Sequence, residues 1–373
     1  MISRISKSDI SDKLFKGKVI IVIGARQVGK TTLVKEILQG KDFLFLDGDD
    51  PLVRENLTNP NTKDLATILG NHKIVFIDEA QRIENIGLTA KIIHDQFNEI
   101  QLIISGSSAF ELRNRTNESL TGRKFEYFLF PISYEEYEKS QGYLDAMRDL
   151  ENRLIYGFYP DVINSRGQER EVLNEITQSY LFKDILAFGN IKKPEVLEKI
   201  LRALAFQVGN EVSYNEIAQL TGVDKNTVAH YIYLLELSYI IYPLTSFSRN
   251  LRNEIKTNRK IYFYDNGVRN TLIQNFNPLE LRNDVGALWE NFLMSERVKY
   301  NQYHKKYCNS YFWRTKQQQE IDYLEESDGK ISGFEFKWNP KAKVNIPSSF
   351  VKNYNAEVTV ISKENFRGFV GIF

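Results

Sequence analysis

The stretch Gly24-Ala25-Arg26-Gln27-Val28-Gly29-Lys30-Thr31, with Thr32 behind it, carries the residue types that a phosphate-binding turn needs. Gly24 and Gly29 let the backbone wrap an anion with no Cβ in the way. The successive N–H groups of the loop, and the N-terminus of a helix after it, then face that anion. Lys30 reaches β- and γ-phosphates as a point charge, and the Thr31 hydroxyl is a hard oxygen ligand for Mg2+. Downstream, Lys73-Ile74-Val75-Phe76-Ile77-Asp78-Glu79 delivers two carboxylates at the end of an apolar run. Asp78 is expected to hold Mg2+, directly or through water, and Glu79 to act as general base on an attacking water. In Leu102-Ile103-Ile104-Ser105-Gly106-Ser107-Ser108, Ser107 and Ser105 are the candidates to sense a γ-phosphate and position that water. Among Arg113, Arg115 and Arg123, Arg123 is the first choice for an arginine finger, acting in cis or from a neighbouring subunit.

A second set of chemistry-bearing residues lies in the tail. Glu290 stands in a predicted helix opening at Val285, and Gln319–Tyr323 and Gly333–Lys337 read as strands. Side chains alternate faces along a strand. Glu335 and Lys337 therefore share a face, Asp322 can lie beside them, and Glu290 can approach from the helix. Carboxylates with one lysine make a divalent-metal site beside a proton-transfer group, as metal-assisted phosphodiester hydrolysis requires. The order of a helix Glu, a strand Asp and Glu-x-Lys resembles the PD-(D/E)xK restriction-endonuclease-like core, with Gln319 or Glu320 as orienting groups; whether this site cleaves stays open. Residues 297–319 add Arg297, Lys299, Lys305, Lys306, Arg314 and Lys316 without an acid, interleaved with Tyr300, Tyr303, Tyr307, Tyr311, Phe312 and Trp313. Such a patch can grip phosphates and stack bases, while most of these aromatics are expected in the core.

The elements that must position these residues follow from the apolar pattern. Val19–Ile23, Phe43–Leu46, Ile74–Ile77 and Leu102–Ser105 are short and rich in Ile, Val and Phe, as buried parallel strands are, and Phe125–Phe128 reads as another. Leu33–Leu38 is a predicted helix ended by Gly40. Residues 133–207 read as helical, interrupted by Gly157–Ile163. Within 212–245 a helix (Tyr214–Leu220), a turn at Gly222, a second helix (Lys225–Leu237) and a strand have the spacing of a winged helix-turn-helix. Lys225, Asn226, His230 and Tyr233 are expected on the exposed face of its second helix, and Ser248–Lys260, with Arg249, Arg252 and Arg259, could track a nucleic-acid backbone. A winged helix also serves as a protein-docking module, so DNA and protein are both candidate partners.

The motifs GARQVGKTTL, IVFIDEAQ, LIISGSS, SLTGR and FPISYEEY, in this order, resemble the AAA-type ATPases of bacteria and archaea, and more closely the subgroup with a conserved C-terminal domain of unassigned function. Gly157-Phe158-Tyr159-Pro160 is similar to the subgroup's Gly-Gly-Tyr-Pro signature, with Phe158 in place of the second Gly. The resemblance spans nearly the whole chain. It implies an ATPase with ATP and Mg2+ as cofactors, and a parallel sheet with a strand inserted between the two phosphate-site strands. The order Val19–Ile23, Phe43–Leu46, Ile74–Ile77 fits such an insertion.

Composition bounds these readings. The chain has 373 residues, 49 Lys+Arg against 48 Asp+Glu, one Cys and four scattered His. Cys308 alone excludes a disulfide framework, and neither Cys nor His is spaced for zinc. No apolar run approaches the roughly 18 residues of a membrane span, and the polar start lacks a signal-peptide core, so a cytoplasmic protein with no membrane partner is expected. The near-zero balance argues only against a uniformly basic surface. The expected fold is α/β: a P-loop NTPase parallel sheet (1–132), a helical linker or lid (133–210), a winged helix (211–275) and a restriction-endonuclease-like α/β domain (276–373). The expected function is a Mg2+-dependent ATPase whose nucleotide state controls a DNA- or protein-handling C-terminal module. The alternatives are an ATP-regulated endonuclease and a non-catalytic nucleotide-gated regulator with a degenerate nuclease domain. Oligomerisation stays open.

Overall fold

The computed structural model describes residues 2–107, 119–181, 191, 193–247, 259–315 and 317–373, leaving aside the side chains of 179–181. These fall into two compact units, one of residues 2–132 with Leu237–Tyr239, the other of the remaining described residues from Ser133 onward.

In the first unit, β1 (Val19–Ile23), β2 (Leu44–Asp47), β3 (Ile74–Asp78), β4 (Gln101–Gly106) and β5 (Lys124–Phe128) form one sheet in the order β2-β3-β4-β1-β5. Every pair in it is parallel. Parallel strands need crossovers, and α1 (Ser6–Asp12), α2 (Lys30–Ile37), α3 (Pro51–Leu57), α4 (Thr62–Leu69) and α5 (Ile86–Gln96) accompany them. The β-branched runs of β1 and β3 are buried along their whole length and pack with Leu65, Leu69, Ile86, Ala90 and Ile93 of the helices. Each fully buried Val, Leu, Ile or Phe side chain among them contributes about 1.5–3 kcal/mol. The strand inserted between the two phosphate-site strands is β4, which is buried throughout; β2 is half-buried at the sheet edge. This corrects the expectation drawn from strand order along the chain, because the more continuously apolar run takes the central, doubly covered position.

The second unit opens on a capping box. The Ser133 hydroxyl accepts from the Glu136 N–H and the Glu136 carboxylate from the Ser133 N–H, which starts α6 (Tyr134–Gln141). Next come α7 (Tyr143–Tyr156), α8 (Pro160–Asn164), α9 (Glu169–Glu175), α10 (Pro194–Phe206), α11 (Tyr214–Thr221), α12 (Lys225–Leu237), α13 (Asn266–Leu272), α14 (Val285–Tyr303), α15 (Ser348–Tyr354) and α16 (Phe366–Phe369). The strands β6 (Glu211–Val212), β7 (Ile241–Ser246), β8 (Arg259–Phe263), β9 (Asn309–Arg314), β10 (Glu320–Ser327), β11 (Lys330–Phe336) and β12 (Glu357–Ile361) build one mixed sheet, ordered β12-β11-β10-β9-β7-β8-β6. The boundary expected between residues 275 and 276 thus falls inside a continuous sheet, joined where β7 pairs with β9. On α14, Trp289 and Phe292 stack on each other and meet Phe366 edge-on.

The Gly157-Phe158-Tyr159-Pro160 signature has a packing role here. The Asp265 carboxylate accepts from the Phe158 N–H at 2.6 Å and caps α13 through Val268. Gly157 passes so close that a Cβ would sit 2.0 Å from Asp265 Oδ1, at a φ of +72°. Among the described residues, no helix is long and apolar enough to cross a membrane.

Candidate functional site

β1 ends at Ile23, and the chain turns through Gly24–Gly29 into α2 at Lys30. Gly24 passes close against the segment after β5, since a Cβ on it would lie 2.0 Å from the Leu129 carbonyl oxygen. Lys30, only 5 % exposed, donates to the carbonyls of Gly24 at 3.0 Å and Ala25 at 2.8 Å. Its ammonium therefore already lies within the loop. Thr31 Oγ1 donates to Asp78 Oδ2 at 2.6 Å, and Asp78 Oδ1 accepts from the Glu79 N–H and the Ser105 hydroxyl. The hydroxyl and carboxylate expected to share a cation are thus brought together at the C-terminal end of the parallel strands, the edge where ligands bind in open α/β sheets.

Glu79 follows directly, in a left-handed conformation with φ +44°. Its carboxylate accepts from Gln81 Nε2 at 2.5 Å and from Ser107 Oγ at 3.3 Å, and the same Gln81 amide donates to Ser107 Oγ at 2.9 Å. Of the two serines, Ser105 thus holds Asp78 and Ser107 holds Glu79. Gln81 was not singled out from sequence; its place two residues after the acid pair was the available signal. Arg123 is not brought to this edge. It precedes β5, its carbonyl pairs with Val19 at the start of β1, and its guanidinium donates to Asp95 at 3.0 Å. The length of β1, about 13 Å at 3.3 Å per residue, separates it from the loop, which removes Arg123 as a finger acting in cis. Ser108, Arg113 and Arg115 lie outside the described residues.

In the second unit, Glu290, Asp322, Glu335 and Lys337 converge. Lys337 Nζ lies 3.1 Å from Glu335 Oε2 and 3.8 Å from Asp322 Oδ2. Asp322 also accepts from the Phe336 N–H at 2.8 Å. A residue that the sequence reading passed over joins them. Lys260 of β8, 1 % exposed, places Nζ 3.2 Å from Glu290 Oε1 and 2.5 Å from Glu320 Oε1. Tyr262, on the same face of β8, donates to Glu290 at 2.6 Å. Burial opposes the charge on Lys260, but Glu290, Asp322 and Glu320 outweigh it and hold the ammonium above the usual lysine range. Burial pushes Glu290 up to about 7, against the pull of Lys260 and with the repulsion of Asp322. Burial and then Asp322 likewise push Glu335 up to about 7, opposed by Lys337. Among the described residues, no group of three or more His, Cys, Asp or Glu is placed to hold one metal ion. The signal for Lys260 was a lysine two positions from Tyr262 in a strand whose last three residues are Ile261, Tyr262 and Phe263.

The basic tail is partly spent on internal pairs. Arg297 is paired with Glu325 at 2.6 Å, Lys299 with Glu296 at 2.6 Å, and Arg314 lies 3.6 Å from Glu211 and 3.7 Å from Glu320. Phe312 and Trp313 are buried, while Lys305, Lys306 and Tyr307 are exposed. Lys316 and residues 248–258, including Arg249 and Arg252, lie outside the described residues. Directly before α12, Asp224 accepts from the N–H groups of Asn226 and Thr227, and Lys225, Asn226, His230 and Tyr233 of the helix are exposed. Arg259 donates to the Tyr214 hydroxyl at 3.3 Å.

Comparison with known proteins places this geometry. The AAA domain family matches residues 16–138, and two families described as domains of unknown function (DUF8612 and DUF4143) match residues 147–279 and 285–367. An uncharacterised protein of Mycobacterium tuberculosis is 25% identical over 330 residues, covering 87% of this chain and 71% of that protein. An uncharacterised protein of Methanocaldococcus jannaschii is 25% identical over 325 residues, covering 79% and 69%. The solved Walker-type ATPase of Pyrococcus abyssi is similar in fold, with a TM-score of 0.50 at 16% identity over 73% of this chain and 96% of that one. The chain is an α/β protein whose first sheet, parallel throughout, lies in the stretch matched by the AAA domain family and is similar in fold to a solved Walker-type ATPase, and a helical region with a further sheet follows.

Proposed function

We propose that the chain binds ATP with Mg2+ at Gly24–Thr32 and hydrolyses it, and that nucleotide state controls a DNA- or protein-handling second unit. The observation that carries the nucleotide reading is the 2.6 Å contact between Thr31 and Asp78 beside the loop that holds Lys30. A hydroxyl and a carboxylate are hard oxygen donors, so they fit Mg2+, which when bound neutralises phosphate charge. Lys30 exchanges its two carbonyl partners for phosphate oxygens. Glu79, oriented by Gln81 and Ser107, takes the proton from the attacking water. The test is a nucleotide-binding and turnover assay. Lys30→Ala loses binding or turnover, whereas Glu79→Gln still binds ATP but does not hydrolyse it. Normal hydrolysis by Glu79→Gln removes the base assignment.

For the second unit, the position of Lys260 favours the non-catalytic reading over an ATP-regulated endonuclease. Its buried ammonium sits between Glu290 and Glu320, where a catalytic cation would need those oxygens. The exposed face of α12 supports a winged helix that meets DNA or protein. Plasmid incubated with Mg2+ or Mn2+ is then not nicked. Nicking by the wild type that disappears in Lys337→Ala overturns this. Salt-dependent DNA binding, weakened by changing Arg249, Arg252 and Arg259, marks DNA as the partner.

A further inference from the structure

Arg4 lies two residues before the start of α1 and is 7 % exposed. Its guanidinium donates through Nη1 to the carbonyl of Val28, in the phosphate loop, at 2.7 Å. Through Nη2 it donates to the carbonyl of Phe130 at 2.6 Å. Phe130 lies two residues past β5, in the segment that leads to Ile132, where the first unit ends. The same segment also meets the end of β1 and the start of the loop: the Leu129 N–H donates to the Ile23 carbonyl at 2.8 Å, and the Leu129 carbonyl abuts Gly24. Arg4 is itself held in place from behind. On α1, Lys7 pairs with Glu36 of α2 at 2.6 Å, and the Asp9 carbonyl accepts from the Tyr127 hydroxyl at 3.3 Å.

We infer that Arg4 is a positioning residue that couples the phosphate loop to residues 129–132, the stretch by which the chain leaves the nucleotide-binding unit. The inference rests on the nucleotide reading above and goes beyond it by naming where loop conformation is passed on. A planar guanidinium can bind two carbonyls at once with a fixed spacing between its nitrogens, which a lysine ammonium on a flexible stem cannot reproduce. Any shift of the Val28 carbonyl when the loop closes on phosphate is therefore carried to the Phe130 carbonyl. By linkage, the order of 129–132 acts back on nucleotide affinity.

The test is hydrogen exchange at the amides of Leu129, Phe130 and Ile132, with and without Mg2+ and a non-hydrolysable ATP analogue, alongside titration of that analogue. In the wild type the nucleotide slows exchange at these amides. Arg4→Met keeps the apolar stem and loses the fork. It is expected to bind about tenfold more weakly, the equivalent of one charge-assisted hydrogen bond, and to lose the nucleotide-dependent slowing. Arg4→Lys keeps the charge and the fold and is expected to lose most of the slowing too, which decides the matter should the methionine variant not fold. A slowing of wild-type size in either folded variant overturns the coupling. Nucleotide binding by the wild type with no response at 129–132 overturns it while leaving the nucleotide site intact. A wild type that does not bind nucleotide overturns the site and the coupling together.

Discussion

Replacing Lys260 with Met keeps most of the buried stem and removes the cation that faces Glu290 and Glu320. The consequence depends on pH, and its size follows from Glu290. A carboxyl at about 7 in the fold, against an ordinary 4.5, makes the folded chain bind more protons than the unfolded one between those values. Stability therefore falls as pH rises through that window and levels off above it. At pH 5.5 Glu290 is largely protonated, so losing Lys260 removes little from it. At pH 8.5 it is ionised against Lys260. The variant must then either bury an uncompensated charge, at roughly 3–5 kcal/mol, or keep the proton, at roughly 1.4 kcal/mol per pH unit above 7, about 2 kcal/mol in all. The smaller cost sets the outcome. Lys260 itself, held above the usual lysine range, stays charged at both pH values and contributes no slope. For a unit of a couple of hundred residues, about 2 kcal/mol is worth roughly 4–8 °C. Thermal melts followed by circular dichroism at pH 5.5 and 8.5 should thus show the variant losing that much more in Tm at the higher pH. Equal losses at both pH values, or a larger loss at pH 5.5, would refute the ion-pair reasoning.

Gly24→Ala puts a Cβ 2.0 Å from the Leu129 carbonyl oxygen. It should weaken nucleotide binding by at least about tenfold, since displacing the loop by even a fraction of an ångström disturbs its N–H cradle; titration with a fluorescent ATP analogue reads this. Gly157→Ala meets both a positive φ and the Asp265 carboxylate at 2.0 Å, and should destabilise the second unit by about 3 kcal/mol or more in denaturant unfolding. Ser133→Ala breaks the capping box at the start of α6, and should cost about 1 kcal/mol in the same assay without changing nucleotide affinity.

Much of the geometry of the proposed nucleotide site was legible because its parts are contiguous. Gly24, Lys30 and Thr31 lie on one turn, Asp78 and Glu79 end one strand, and apolar runs mark the strands that carry them. The helices Tyr214–Thr221 and Lys225–Leu237 were legible for the same reason, since helical periodicity is local. Arg123 was not, because its distance from the loop depends on which end of β5 pairs with which end of β1. The basic stretch of residues 297–319 looked free in sequence only because its acidic partners, Glu325, Glu296 and Glu211, sit on other elements or outside the run.

The sequence by itself determined the strand–turn–helix that carries Gly24–Thr31 and the strand that ends in Asp78, since motif spacing and apolar runs along contiguous residues are enough to place a lysine and a hydroxyl at the start of one helix. Which strand lies between β1 and β3, which serine meets Glu79, and which lysine meets Glu290 were decided only in three dimensions. Lys260 and Glu290 are 30 residues apart, and Arg4 and Phe130 are 126 apart. The physical reason is that strand pairing, which local composition does not encode, sets what a buried charge meets, and a charge taken out of water must meet a partner there.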